Sequence, residues 1–467
     1  MVGTQRELHF EDIPTLASGL RTREYSSEEV TRIQLQRITA LDPHLRAYVE
    51  VFADEAIADA RLADSEMAHG RFRGPLHGIP IGVKDLCHIK GHPTAGGMSF
   101  RRERHALQDA TVVARLRQAG AVILGSLQLT EGAYSDYHPS VSPPKNPWDP
   151  RYWTGNSSSG SAVATASGIC FGAIGTDTGG SIRWPAAANG VTGLKPTWGR
   201  VSRFGVLELA ASLDHVGTIA RSAIGAGMML QAISGYDPLD STSLRAPALD
   251  IQADASVKGL RLGLDSRILE SGLDDSVRNM LTEAVEVLVG RGAVLVNMEF
   301  PDASQAVRDW VPNCAVEAAV AHELDFADKE ENYGPVLAGV IRTGQTVSGT
   351  DLQKILQRRR DYAGALAAAL EHVDVAIVPV QPFEPLSLET IATLGEKPEL
   401  IEALQRFTSP FNMSGSPTIT LPAGFSENQM PMAFQLVAQH LCEDRLVRAG
   451  AAYQAETYWH TRHPRLS

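Results

Sequence analysis

Short apolar runs rich in β-branched residues recur along the chain and alternate with longer segments of helical spacing. Three of the apolar runs are IPIGVKD (79–85), AVILGSL (121–127) and VDVAIVPV (373–380). Runs of four to eight such residues, ended by turn or charged residues, predict buried strands. SPTITLPAGF (416–425) and PMAFQLVAQ (431–439) predict two more strands.

Helices are predicted between these strands. Ser26 and Glu29 form an S-x-x-E capping box just before apolar residues at helical spacing, which predicts a helix start. Further helices are predicted over 161–168 and 274–289, and the Ala- and Leu-rich segment 303–372 is predicted to be mostly helical. The alternation of strands and helices predicts an α/β protein whose sheet is covered by helices on both faces.

Composition narrows the class of protein. The chain has 467 residues, of which 43% are hydrophobic and 21% charged, with a net charge of −12. This charge argues against nucleic acid as a partner, because a polyanion requires a dense basic face. No apolar run reaches membrane-spanning length, and the first residues have no apolar signal region, so we expect no membrane association and a cytoplasmic location.

Candidate chemistry is concentrated in one Gly- and Ser-rich segment, GNSSSGSAVATASGICFGAIGTDTGGSIRWP (155–185). A flexible linker would lack the interleaved Val, Ile, Phe and Trp residues. A phosphate loop is disfavoured because GxxxxGK[ST] is absent. The nucleophile elbow of α/β-hydrolases requires GxSxG, and here the second glycine comes one residue too late.

A serine amidohydrolase whose nucleophile is activated without histidine is the third interpretation. Ser181 follows two glycines in DTGGSIR, and glycine allows the backbone to approach a ligand closely. The backbone N–H groups of Thr178, Gly179, Gly180 and Ser181 are therefore predicted to converge on the oxyanion of a tetrahedral intermediate. Ser181 would be the attacking group.

Lys84, at the end of the predicted strand 79–85, is the candidate base. A lysine with its reference pKa of about 10.4 is protonated at neutral pH, but burial lowers the pKa of an amine by up to several units. A metal site is not predicted, because HELDF (322–326) lacks the second histidine of HExxH and no cysteines show CxxC spacing.

These motifs together resemble the amidase signature family. The resemblance rests on GVKD (82–85), TGNSSSGSA (154–162) and GTDTGGSIRWPAA (175–187), and continues through GLKPTWGRVSRFGV (193–206), SLDHVG (212–217), NMSGSPTITLPAGF (412–425) and FQLVAQ (434–439). It covers nearly the whole chain in the family's order. The family fold implies a large, mixed but mostly parallel, twisted central sheet.

The resemblance also implies a Ser–cis-Ser–Lys triad. The nucleophile matches Ser181, the base matches Lys84, and the bridging serine with its cis peptide bond matches Ser157. Ser158, Asp177 and Arg183 are expected to support the site. The family usually has GGSSGG where this chain has GNSSSG, so Asn156 and Ser159 replace glycines. No cofactor is implied.

The implied activity is hydrolysis of a small, apolar or aryl amide through an acyl-enzyme, with carbamates or esters as further substrates. Glu131, Tyr134 and Tyr137 are candidates for the substrate pocket. One alternative is the glutaminase subunit of a tRNA-dependent amidotransferase, and another is a catalytically silent scaffold. We expect a monomer or homodimer.

One amidase domain is expected over residues 1–467. It divides into N-terminal helices (about 1–70), a signature core (about 71–225), a βαβ and helical insertion (about 236–372), and C-terminal strands with a helix (about 373–467).

Overall fold

The computed structural model describes residues 7–252 and 255–466. Within this part of the chain, eleven strands form one sheet. The strands are β1 (Tyr48–Val51), β2 (Pro80–Lys84), β3 (Val122–Leu127), β4 (Gly172–Asp177), β5 (Thr192–Lys195), β6 (His215–Ala220), β7 (Arg261–Leu264), β8 (Val294–Asn297), β9 (Val375–Pro379), β10 (Thr418–Phe425) and β11 (Pro431–Val437).

The α-helices of the described residues connect and cover these strands. They are α1 (Ile13–Thr22), α2 (Ser27–Leu45), α3 (Ala53–Ala68), α4 (Thr111–Gln118), α5 (Ser159–Ala166), α6 (Arg183–Asn189), α7 (Ala223–Ile233), α8 (Ser266–Leu269), α9 (Asp275–Gly290), α10 (Ser304–Ala321), α11 (Glu323–Lys329), α12 (Pro335–Thr346), α13 (Gly349–Leu370), α14 (Leu388–Ala392), α15 (Pro398–Gln405), α16 (Ser409–Met413) and α17 (Glu443–Glu456). Ser26 and Glu29 form the predicted capping box at the start of α2.

The sheet order is β1-β3-β2-β4-β6-β5-β10-β11-β9-β7-β8. The predicted mixed α/β architecture is confirmed, but the expected predominance of parallel pairing is wrong, because six of the ten strand pairings are antiparallel. The reason lies at the centre of the sheet. There β5 and β6, which the apolar pattern did not reveal, pair antiparallel with their neighbours, and β10 and β11 form a hairpin.

Helices pack on the sheet as two main groups. One extensive apolar core includes residues of α1, α4, α7, α9 and α17. Smaller cores hold α2, α3, α5 and α6 against the sheet. Helix α10 packs against α12, α13 and α16, and its Trp310 side chain contacts Thr178 at the candidate site.

The parallel strands β2 and β4 are adjacent, and this adjacency positions the candidate site. Lys84 is the last residue of β2, and the loop carrying Ser181 follows β4. Because adjacent parallel strands end at the same edge of the sheet, the two segments meet there. Helix α5 follows the Ser157–Ser158 segment and packs on both strands.

Candidate active site

The Lys84 side chain is fully buried and is surrounded by hydroxyl groups. Its Nζ lies within hydrogen-bond distance of three hydroxyl oxygens, 2.8 Å from Ser157 Oγ, 3.0 Å from Ser158 Oγ and 2.8 Å from Thr176 Oγ1. No carboxylate of the described residues forms an ion pair with this amine. An ammonium without a counterion is expensive to bury, so this environment favours the neutral amine.

Burial lowers the pKa of Lys84 from its ordinary value to about 7. Cys87, Asp177 and Asp214 act in the opposite direction, but their effect on the pKa is smaller than that of burial. At neutral pH a substantial fraction of the amine is therefore unprotonated and able to accept a proton.

Gly155 and Asn156 turn the chain so that the Ser157 hydroxyl faces Lys84. Both residues have positive φ, 90° for Gly155 and 77° for Asn156. A side chain at Gly155 would place its Cβ only 2.3 Å from the backbone of Pro185, which explains the glycine. The cis bond expected at Ser157 is not found, because the described residues contain no cis peptide bond. Ser157 nevertheless contacts the Lys84 amine.

Ser181 lies beside this pair without being hydrogen-bonded to it. The Ser158 N–H donates to the Ser181 carbonyl at 3.3 Å, which holds the two segments together. Among the described residues, no hydrogen bond joins the Ser181 hydroxyl to Ser157 or Lys84. Ser181 retains 5% exposure whereas Lys84 and Ser157 retain none, so Ser181 is the member of the predicted triad that solvent reaches.

Several peptide groups of the loop 177–181 are oriented by contacts to their carbonyl oxygens. The carbonyl of Asp177 accepts from Asn412 Nδ2 at 3.0 Å, that of Thr178 accepts from Trp310 Nε1 at 2.8 Å, and that of Gly180 accepts from the Trp184 N–H at 2.8 Å. The next N–H along the chain points the opposite way in a trans peptide.

The N–H groups of Thr178, Gly179 and Ser181 consequently point away from these anchors, and no acceptor within the described residues engages them. The Gly180 N–H differs from these three, because it donates to Asp177 Oδ1 at 2.9 Å. Three of the four donors predicted for an oxyanion are therefore open.

A fully buried ion pair supports the loop. Arg183 contacts both carboxylate oxygens of Asp177, with Nε to Oδ2 at 3.0 Å and Nη2 to Oδ1 at 2.9 Å. Arg183 also donates to the Thr408 carbonyl at 2.8 Å and to Asn412 Oδ1 at 2.6 Å. Burial alone would raise the pKa of Asp177, but Arg183, together with Lys195 and the Ile182 N–H, outweighs that effect and holds this pKa below its usual range.

The three candidate pocket residues occupy different surroundings. Glu131 is buried and accepts the Gly334 N–H at the start of α12, which gives this carboxylate a structural contact. Tyr134 lies nearly parallel to Trp310, with ring centroids 6.5 Å apart. The Tyr137 hydroxyl is 2.5 Å from Ser159 Oγ, so Tyr137 supports the serine segment.

Sequence reasoning missed three residues that contact the site. Thr176 is the third hydroxyl on Lys84, Asn412 contacts both Asp177 and Arg183, and Trp310 contacts Thr178. Thr176 lies within the motif 175–187. The alternation of side chains along β4 could have identified it, because every second residue of a strand lies on the same face of the sheet. Trp310 had no comparable local signal.

A cavity of about 620 Å³ lies elsewhere, between α8, α10, α13, α15 and α16. Its walls include Phe300, Tyr362, Phe407 and Phe411 but none of Lys84, Ser157 and Ser181.

No helix of the described residues has the length and apolarity that crossing a membrane requires.

Comparison with known proteins identifies relatives over almost the full length of the chain. The protein named "Putative amidase AmiD" from Mycobacterium tuberculosis is 44% identical over 97% of this chain and 95% of its own. A glutamyl-tRNA(Gln) amidotransferase subunit from Geobacter metallireducens is 35% identical over 96% of this chain and 98% of its own. The solved peptide amidase of Stenotrophomonas maltophilia has a TM-score of 0.81 and 28% identity, covering 97% of both chains.

The model of the protein family described as "Amidase" matches residues 29–447. This match includes Lys84, the serine segment and the loop before α6, so the whole arrangement described above lies within it. The extent of the match and the identity to the relatives agree with the resemblance seen in the sequence, and the chain therefore belongs to the amidase family of amide-hydrolysing enzymes.

Proposed function

We propose that the chain hydrolyses the C–N bond of a small amide through an acyl-enzyme on Ser181. Neutral Lys84 accepts a proton from Ser157, and Ser157 accepts one from Ser181 as Ser181 Oγ attacks the carbonyl carbon. The leaving amine takes up the proton returned along the same path. Water then attacks the ester and regenerates the Ser181 hydroxyl, releasing the carboxylic acid.

One observation carries this proposal: the buried amine of Lys84 contacts hydroxyl groups and has a pKa of about 7. A structural lysine in a protein interior is normally paired with a carboxylate. A base with a pKa near the working pH is favourable for proton transfer. The only imidazole contact near the nucleophile loop among the described residues is His215, whose Nδ1 faces the carbonyls of Leu213 and Asp177.

The open N–H groups of Thr178, Gly179 and Ser181 are assigned to the oxyanion. They belong to the loop that carries the nucleophile, as an oxyanion hole requires. Removing one donor of this kind typically costs about 3 kcal/mol of transition-state stabilisation. Gly180 is not needed as a fourth donor, since its N–H serves the Asp177 carboxylate.

We assign an apolar or aryl acyl group to the substrate, with carbamates and esters as further candidates. Tyr134 and Trp310 place two nearly parallel aromatic rings next to the nucleophile loop. Rings in this position offer apolar contact to a flat or aliphatic group. Asp214 also lies close to this loop. Its carboxylate oxygens already accept hydrogen bonds from the Thr178 hydroxyl and from the N–H groups of Leu209 and Ala210.

The glutaminase subunit of an amidotransferase is the second candidate. It is favoured by the 35% identity to the Geobacter metallireducens protein over nearly the whole length of both chains. The 44% identity to the mycobacterial protein favours a stand-alone amidase instead. Such a glutaminase would release ammonia from glutamine and would act fully only with its partner subunits.

A substrate panel on the pure chain tests both candidates. We expect turnover of aryl p-nitroanilides and weaker turnover of aliphatic amides, carbamates and p-nitrophenyl esters. Glutamine should be hydrolysed at least about 100-fold more slowly than the best anilide, whereas preferential glutamine hydrolysis would favour the amidotransferase.

Labelling with a fluorophosphonate, followed by peptide mapping, tests the nucleophile. The adduct should lie on Ser181 and should be absent from Ser181→Ala. An unlabelled wild-type protein that is folded would refute the acyl-enzyme.

A further inference from the structure

Trp310 reaches the nucleophile loop from a distant part of the chain. This residue lies in the middle of α10, and its indole is almost completely buried. Its Nε1–H donates to the Thr178 carbonyl at 2.8 Å. Its ring also covers Gly179 so closely that a Cβ on Gly179 would lie 2.5 Å from a ring carbon.

This contact determines the orientation of one peptide group. Thr178 C=O and Gly179 N–H belong to the same planar trans peptide and point in opposite directions. Because the indole binds the carbonyl, the Gly179 N–H is directed away from Trp310. That N–H has no acceptor within the described residues, so it remains free to bind an acceptor from a substrate.

The flexibility of glycine gives an external anchor a clear effect at this position. Gly179 is followed by Gly180, whose φ of 145° lies in a region that side chains disfavour. Two adjacent glycines have greater backbone freedom than any other pair, so the Thr178–Gly179 peptide would otherwise rotate more easily. An N–H that must be oriented before reaction gains most from such an anchor.

Helix α10 is itself held firmly on both sides of Trp310. Asp309 accepts two hydrogen bonds from Arg358 of α13, each at 2.7 Å. Two turns further on, Glu317 accepts the Ser212 N–H at 2.7 Å, close to the site. The Trp310 indole is therefore held by a fixed helix, as a side chain that orients the Thr178–Gly179 peptide has to be.

We propose that Trp310 is a positioning residue, which orients the Gly179 N–H as an oxyanion donor through its hydrogen bond to the Thr178 carbonyl. The inference rests on the proposed acyl-enzyme mechanism and adds a residue outside the signature motifs to it. Helix α10 thereby takes part in catalysis through this one side chain.

Trp310→Phe is the direct test, because it keeps an aromatic ring and removes the N–H. Trp148→Phe is the matched control: the Trp148 indole also donates to a backbone carbonyl, that of Asn189, at 2.9 Å, but at the far end of α6. We expect Trp310→Phe to lower kcat by about 10- to 100-fold with KM changed less than threefold. Trp148→Phe should keep kcat within threefold.

An aldehyde analogue of the best substrate gives a second readout, because its adduct with Ser181 carries the oxyanion. Its inhibition constant should rise in Trp310→Phe by the same factor by which kcat/KM falls. A structural role alone would change stability without this proportionality. Unchanged kcat, or a lower kcat with unchanged aldehyde affinity, would overturn the inference.

The two proposals fail in different experiments. Absence of fluorophosphonate adduct on Ser181 in the wild type would remove the proposed function before any variant is compared. If the wild type is labelled but Trp310→Phe is too unstable to assay, a second variant makes the test. Benzothienylalanine at position 310 has a ring of the same shape, in which sulfur replaces the N–H. Wild-type kcat with that residue would equally overturn the inference.

Discussion

Lys84 Nζ lies 2.8 Å from Ser157 Oγ, and both side chains are completely excluded from solvent. An exposed lysine would be protonated and would donate to water. Here the buried amine lies within hydrogen-bonding distance of the serine hydroxyl, and its neutral form can accept the serine proton without an intervening water. Most of the expected behaviour of the enzyme follows from this pair.

Lys84→Met should abolish most of the activity while keeping the fold. The thioether chain fills a similar volume, and loss of a general base typically costs 10²- to 10⁴-fold in rate. Steady-state kcat on the best anilide measures this, with circular dichroism as the control for folding. A kcat within tenfold of wild type would exclude Lys84 as the base.

The same variant should be more stable than the wild type at neutral and lower pH. Burial lowers the pKa of Lys84 to about 7, so the folded state releases a proton that the unfolded state keeps until its ordinary pKa. Lys84 therefore destabilises the folded wild-type protein. This destabilisation is complete below about pH 7 and decreases as the pH rises towards the unfolded pKa of 10.5. It amounts to about 5 kcal/mol at most by linkage. Urea unfolding of both proteins at pH 6 and pH 9 measures it; a smaller stability gain at pH 6 than at pH 9 would contradict it.

The pH dependence of kcat/KM should report the Lys84 amine. Only the unprotonated amine accepts a proton, so kcat/KM should rise tenfold per pH unit at low pH and level off above about pH 7. Initial rates between pH 5 and pH 9, with an uncharged substrate, give the profile. A rise that continues to pH 10 would show an amine with an ordinary pKa.

Ser157→Ala and Ser158→Ala should differ although both hydroxyls contact Lys84. Ser157 is the proposed proton carrier, so its loss should lower kcat by about 10²- to 10⁴-fold. Ser158 Oγ also accepts the Thr176 N–H and donates to the Thr176 carbonyl, so its loss should cost about 1–3 kcal/mol of stability and a smaller part of kcat. Paired kinetics and thermal melts test this; a larger kcat effect for Ser158→Ala would reverse the roles.

Arg183→Met should be among the most destabilising single changes in the chain. It would leave the Asp177 carboxylate buried without its partner, which typically costs about 3–5 kcal/mol. The double variant Asp177→Asn with Arg183→Met removes both charges and should recover part of that loss. Denaturant unfolding of the two variants makes the comparison, and equal stability of the single and double variants would contradict a charge effect.

Much of the fold was accessible from local patterns, and the missing part has a physical cause. Strands β2, β3 and β9 are β-branched apolar runs bounded by turn or charged residues, and they were predicted. Strands β5 (TGLK) and β6 (HVGTIA) are short, contain glycine and polar residues, and are nonetheless fully buried. Their place in the sheet depends on neighbours distant in sequence, which no local pattern records.

The site was predictable to the extent that it lies within contiguous motifs. Lys84, Ser157 and Ser181 come from three such motifs, and the structure brings Lys84 and Ser157 into contact. Trp310 lies 132 residues from its partner Thr178 on an Ala-rich helix, where a tryptophan normally indicates core packing. Only the tertiary structure distinguishes its hydrogen bond from ordinary burial.

The backbone at Gly179 and Gly180 is enclosed by two indole rings. A Cβ at Gly179 would meet Trp310, and one at Gly180 would meet Trp184 at 2.7 Å. Mutational libraries that vary these glycines while keeping both tryptophans should therefore yield no active clones. Enlarging the proposed acyl pocket by engineering is better begun at Tyr134, since a smaller side chain at 310 would also remove the proposed anchor of the Gly179 N–H and weaken turnover.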